Sequence, residues 1–263
     1  MRLKLFVTAV SALGCMGAAP APKPAAPPAP PQPYLSAADL DTFQVLPPPP
    51  VAGTSRYEAD RTVYLQTRKW EGTPRWELAR ADDSSINAIR GQSCAVGVEL
   101  SAETAPQTFR LLLRVARDSS LVTNRAKDQA KRQRPYLIDE GNICVAKSDG
   151  LAKSWDYPSG HNTWGWSAGL VLAELAPDRA TQIMSRARAF GESRLVCGVH
   201  NMSAVHMGWA NASVLVAALH GNAEFRKDVE AARKELQALR RTGAKPDAAR
   251  CAAEAEMVAT PLY

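Results

Sequence analysis

Apolar residues recur at three- and four-residue spacing along most of this chain, and nowhere do apolar and polar residues alternate long enough to make a strand. That spacing lets a helix bury one face, and it leaves a sheet no segment to start from. Thr54 to about Gln66 reads as helical through Tyr57, Val63, Tyr64 and Leu65. Gly72-Thr73-Pro74 breaks the chain, and a helical pattern resumes from Trp76 to Ile89. Thr104 is placed to cap a long helix through Pro106, Leu111, Leu112, Leu113, Val115 and Ala116. A break is expected near Ser119 and Ser120, then a polar helical stretch over 121–133 that Pro135 stops. Residues 136–160 read as irregular, and 162–175 as strongly helical. Pro177-Asp178 starts a helix that runs to Phe190, with Gly191 as its expected end. Helical spacing returns from Val196 to Leu219 and from Ala223 to Leu239, and no internal repeat is found. The expected fold class is all-α, a single compact helical bundle.

The two ends read differently. Arg2 and Lys4 precede an apolar run, Leu5 to Leu13, followed by small residues, which is the layout of an export signal over residues 1–19. Ala12-Leu13-Gly14-Cys15 resembles a degenerate lipobox, so lipidation of Cys15 stands beside ordinary cleavage as an option. The Ala- and Pro-rich stretch over 20–37 reads as an extended tether, 38–245 as the folded domain and 246–263 as a C-terminal tail. No segment after residue 25 offers the long uninterrupted apolar run of a transmembrane helix.

Charge and cysteines narrow the compartment and the partners. The chain carries 32 Lys and Arg against 26 Asp and Glu, a net +6 spread along the sequence. No basic block suggests nucleic acid, and a distributed excess suits small anions. Setting Cys15 aside leaves Cys94, Cys144, Cys197 and Cys251, an even set that in an exported protein implies disulfides in any of three pairings. The expected location is the periplasm, as a soluble or membrane-anchored protein.

Three short blocks hold the residues that could do chemistry. Lys127 and Arg134 lie seven apart, nearly two helical turns, so both are expected on one face, among Arg125, Lys131 and Arg132 of a solvated basic surface. Pro158-Ser159-Gly160-His161 stands directly before a helix, where exposed amides, a hydroxyl and a glycine make an anion site. Arg194, with forked donors suited to phosphate oxygens, is followed six residues later by His200 and six after that by His206. Each block alone is weak. A basic helix face, a capped loop and a packed helical histidine are all common.

Their order and spacing together resemble the signature of the phosphatidic acid phosphatase type 2 superfamily, which includes the vanadium haloperoxidases. The nearer resemblance is to the bacterial class A non-specific acid phosphatases. It extends to Leu46-Pro47-Pro48-Pro49-Pro50, Gly72-Thr73-Pro74-Arg75-Trp76, Gly165-Trp166 and the segment 170–175, covering roughly residues 40–235. The resemblance implies an all-α acid phosphatase fold and hydrolysis of phosphate monoesters through a phosphohistidine, with no metal or other cofactor. It makes His200 the nucleophile and His161 the general acid. Lys127, Arg134, Ser159, Gly160 and Arg194 would hold phosphate. The partners implied are small phosphomonoesters and inorganic phosphate, with homodimerisation as a further option.

One position departs from the family pattern. By the resemblance, an aspartate that holds the imidazole is expected four residues after the nucleophile, and this chain has Ala204 there. Four residues on in the helical run is the same face, so the missing carboxylate would have met the imidazole, much as the Asp of a serine-protease triad does. His206 would point about 120° away and be no substitute. The expectation is an acid phosphatase weakened at this point. The alternative is an impaired relative that binds phosphate or phosphoesters and turns over little.

Overall fold

The computed structural model describes residues 31–36 and 38–262, and everything below concerns these residues. The export signal and Cys15 lie outside them, as does most of the tether.

Among the described residues every regular element is a helix. Helix α1 (Ser55–Thr67) starts where the Thr54 side chain accepts from the amide of Tyr57, and α2 (Pro74–Ala81) starts with Pro74 in its first turn under the Thr73 cap. Two four-residue helices, α3 (Asn87–Arg90) and α4 (Ser93–Val96), replace the longer helix expected up to Ile89. Helix α5 (Pro106–Ala130) runs unbroken through Ser119 and Ser120. Ser119 is buried, and the Ser120 hydroxyl donates back to the carbonyl of Ala116 one turn earlier, so neither hydroxyl competes with the helix. Thr104 caps nothing on α5. Its hydroxyl closes a local turn by accepting from the amide of Ser101.

Short α6 (Asp149–Lys153) interrupts the irregular segment and is followed by α7 (Gly160–Leu175), α8 (Ala180–Val196) and α9 (Met202–Leu219). Helix α7 is central, with α5, α8 and α9 packed around it and α10 (Ala223–Thr242) on the outer side of α5. The core they share is built from Leu111, Leu112, Val115, Val171, Leu172, Phe190, Leu215 and Phe225. At Gly165 a Cβ would come within 2.3 Å of the Phe190 ring, so only glycine lets α7 and α8 approach this closely. By length and composition α9 could cross a membrane, with mean hydropathy 1.3 over 18 residues, contrary to the expectation from sequence. Here it is a packing helix against α7, and Asn211 within it donates to Thr123 and Thr163.

The segment set apart as a tail carries α11 (Ala248–Ala259), which is tied to the bundle. Cys94 bonds Cys251, Arg186 pairs with Glu254 at 3.2 Å, and Leu262 is buried near Trp76. The second disulfide joins Cys144 to Cys197. At the other end Tyr34 is buried, its amide donating to Asp118 and its hydroxyl to Asp228.

Candidate functional site

The cationic part of the site begins where α5 stops. Lys131 takes the left-handed conformation (φ 46°) and its amide returns to the carbonyl of Lys127, so the helix ends at Ala130, before the Pro135 breaker is reached. Lys127 therefore sits on the last helical turn, while Arg134 is in extended chain beyond it. They do not share a helix face; the turn brings them together instead. Arg134 is fixed by donating from Nε to the Ser154 carbonyl (2.6 Å) and from Nη1 to the Val199 carbonyl (2.7 Å). Lys127 donates from Nζ to the carbonyl of Trp155. Both cations are buried, and burial together with the Arg134 charge lowers the Lys127 ammonium to about 7.

Arg132 is not part of a solvated basic surface either. It is buried, with Nη2 donating to Asp60 at 2.8 Å and Nη1 to the Ser203 hydroxyl at 2.6 Å. A charge taken out of water needs such a partner, and it found one across the fold on α1.

The second part is the N-terminus of α7. Ser159 is its first flanking residue, after a cis Tyr157-Pro158 bond, and its amide donates to the carbonyl of Ala204 at 3.0 Å. The Ser159 hydroxyl accepts from Asn162, and the open backbone at Gly160 would leave a Cβ only ordinary contact, 3.6 Å from Thr123. His161 is half-buried, with Nε2 2.9 Å from the carbonyl of Asp83. Burial and the nearby Arg194 push its imidazole down to about 3.

The third part hangs on α8, which does not end at Gly191. That glycine is internal because α8 crosses α7 there, and a Cβ would lie 2.0 Å from Asn162 Oδ1. The helix continues to Val196 and so places Ser193 and Arg194 in its final turn. Ser193 faces away, donating to Asp82 and accepting from Arg75. Arg194 is 2 % exposed; its Nη2 pairs with Asp83 at 2.9 Å, while Nε and Nη1 have no hydrogen-bond partner among the described residues.

Between α8 and α9 the chain makes a tight turn through Gly198 (φ 79°), so the run expected to be helical from Val196 to Leu219 is divided. A Cβ at Gly198 would lie 2.4 Å from Arg68, whose guanidinium donates to the carbonyls of Leu195 and Val196. His200 stands in this turn, outside any helix, and the Cys144–Cys197 bond anchors the turn's start. His200 and position 204 therefore do not share a helical face, contrary to the expectation from sequence. His206 is in α9, half-buried and with its ring 5.1 Å from that of Trp209.

His200 nevertheless has a carboxylate. Its Nδ1 is 2.8 Å from Oδ1 of Asp156, and its Nε2 is 3.1 Å from Nη1 of Arg134. Since Arg134 can only donate, the network assigns the proton to Nδ1 and leaves the Nε2 lone pair on the cation side. Burial first, then Arg134, Lys127, Arg194 and His161, hold this imidazole well below its ordinary range, so it is neutral. Asp156 was missed from sequence because it lies 44 residues from His200 and belongs to no periodic pattern. The one signal available was a lone acid between two aromatic residues, just ahead of the Pro158 block.

The structure thus brings Lys127, Arg134, Ser159, Gly160, His161, Arg194 and His200 into one region, with three buried cations in it. A cavity of about 450 Å³ adjoins Gly160 and His161, walled by Ile86, Leu113, Ala116 and Trp164. Among the described residues no group of three His, Cys, Asp or Glu side chains could hold a metal ion.

Residues 108–227 match the PAP2 superfamily. An acid phosphatase of Zymomonas mobilis is 41% identical, over 81% of this chain and 82% of its own length. The non-specific acid phosphatases of Providencia stuartii and Salmonella typhimurium are 34% and 33% identical, over 77% and 73% of this chain and 83% and 78% of their own lengths. The chain belongs to the bacterial class A non-specific acid phosphatases within that superfamily.

Proposed function

We propose that this protein is an exported acid phosphatase that hydrolyses phosphate monoesters through a phosphohistidine on His200, with no metal. The observation that carries the reading is Arg194, a fully buried guanidinium with two unpartnered donors, beside Lys127, Arg134 and a neutral histidine. Buried donors of this kind call for an anion with several acceptor oxygens. Phosphoryl transfer needs little more than in-line positioning and charge on the equatorial oxygens, and three cations with the α7 N-terminus supply both.

In the first displacement the Nε2 lone pair of His200 attacks phosphorus and the bond to the ester oxygen breaks. That oxygen takes a proton from His161 and departs as an alcohol, the organic group lying toward the cavity beside Trp164. In the second, water attacks the phosphorus, gives a proton back to His161, and the P–N electrons return to Nε2. Splitting hydrolysis in this way lets one cradle serve both steps. Burial first, and then Arg194, hold the His161 imidazole low; a phosphate bound on the cations offsets the Arg194 part and favours the protonated acid.

The two disulfides fit export, since such bonds persist in oxidising compartments. The disulfides and the sequence of the leader support a periplasmic location, with or without a lipid on Cys15.

The test is hydrolysis of p-nitrophenyl phosphate by the purified mature protein, with and without EDTA. Turnover insensitive to the chelator is expected. Ala204, which leaves the first turn of α9 without the family's carboxylate, favours the second reading of a phosphate-binding relative. Phosphate binding without hydrolysis would establish that one and overturn the first.

Phosphate should also stabilise the fold. Three buried cations repel one another in the free protein, and an anion bound only by the native state adds RT ln(1 + [L]/Kd), about 2.7 kcal/mol at a hundredfold excess over Kd. Thermal melts in rising inorganic phosphate are expected to climb by several degrees and to stay flat in Arg194→Ala.

A further inference from the structure

We propose that Asp156 is the positioning residue for His200: the carboxylate that the sequence resemblance places at position 204 is supplied in this chain by the loop ahead of α7. The inference rests on the phosphohistidine reading for its role, and on geometry for its placement.

The placement has four independent parts. Asp156 is fully buried, and its Oδ1 accepts from His200 Nδ1 at 2.8 Å. The carboxylate is itself held, Oδ1 accepting from the amide of Asn201 (3.2 Å) and Oδ2 from the Asn201 side chain (2.9 Å), with Arg132 Nε at 3.7 Å. Its backbone is fixed too, the amide donating to the carbonyl of Arg132 at 2.8 Å. Finally, the loop that carries it sits directly on position 204, because the amide of Ser159 donates to the Ala204 carbonyl. The loop that carries Asp156 and the first turn of α9 are therefore in backbone contact.

Chemistry gives this carboxylate two tasks. It keeps the proton on Nδ1, so that the Nε2 lone pair points toward Arg134 and the phosphorus. It also faces the positive charge that the ring gains when Nε2 is phosphorylated and loses when the P–N electrons return to Nε2. No proton need leave Nδ1 in either step. Burial outweighs Arg132, Arg134 and the Asn201 donors and raises the Asp156 carboxyl, but both of its oxygens accept from N–H donors, an arrangement that suits the anion.

The experiment is Asp156→Asn, read by kcat on p-nitrophenyl phosphate and by the inhibition constant of inorganic phosphate. A positioning role predicts a loss in kcat of about 10³- to 10⁴-fold, on the scale of an orienting acid elsewhere. Phosphate inhibition should change by less than about threefold, since the cations that hold phosphate are untouched. A kcat within tenfold of wild type overturns the proposal. So does a parallel loss of phosphate binding, which would mark Asp156 as a mere strut for Arg132 and Asn201. Restoring the family's acid in the double variant Asp156→Asn/Ala204→Asp is expected to recover at least tenfold over the single variant; a double variant as slow as the single one overturns the relocation.

Nitrogen-15 spectra of the histidines in the wild-type protein separate this proposal from the phosphatase reading. His200 should show the Nδ1–H tautomer, and a dominant Nε2–H form sinks the proposal whatever the activity. A protein that hydrolyses no ester but shows the Nδ1–H form would instead overturn the phosphatase reading alone.

Discussion

His200→Ala is expected to lower kcat on p-nitrophenyl phosphate by about 10⁴-fold or more, the scale seen when a nucleophile is deleted from a covalent mechanism. His161→Ala should behave differently, and the difference is diagnostic. A general acid contributes about 10² to 10⁴, and its contribution grows with the basicity of the leaving group. Nitrophenolate leaves readily without a proton, whereas an alkoxide does not. The His161 variant should therefore lose much less on the nitrophenyl ester than on an alkyl phosphate, while the His200 variant loses equally on both. Steady-state rates with the two esters provide the comparison, and equal losses for His161→Ala would remove it from the acid role.

The second large effect is with pH, and its sign follows from the buried cations. Lys127 is lowered to about 7 by burial and by Arg134, so the free protein loses that charge as pH rises through neutrality. Phosphate binding, and with it kcat/KM, is expected to fall above about pH 7. On the acid side His200 stays neutral and nucleophilic far below the usual histidine range, because burial and the surrounding cations resist its protonation. Acid also favours the singly charged ester, whose second ionisation lies near 6, and this form brings a proton into the pocket. Both effects place the working range below neutrality. Lys127→Arg keeps its charge at every accessible pH and should move the alkaline limb upward, measured as kcat/KM over pH 4–9. A limb that stays in place would assign it to another group.

Helices were legible in this sequence because burial of one face repeats every few residues; α1, α7 and α10 lie close to where that spacing places them. Their interruptions were less legible. Gly191 reads as a stop and is instead a close crossing with α7, while Gly198, inside an apparently continuous apolar run, makes the turn that presents His200. A glycine's meaning depends on the partner element, and that is not written beside it. The cations of the site could be found by residue type and order, but their geometry could not, since Arg134 reaches Lys127 through a left-handed residue that no pattern announces. Asp156 was invisible for a related reason: the helical repeat relates residues three or four apart, and this contact spans 44.

The Cys144–Cys197 bond adds a consequence of place. Cys197 lies three residues before His200, and the amide of Cys144 donates to the Cys197 carbonyl at 3.0 Å, so the crosslink and the nucleophile share one short turn. In a reducing cytosol the newly made chain has no such clamp, and the turn that aims His200 is held only by hydrogen bonds. Under the export proposed above, oxidation would then complete the active site as well as the fold. On that reading the chain would be quiet among the phosphorylated metabolites of a reducing compartment and competent once oxidised.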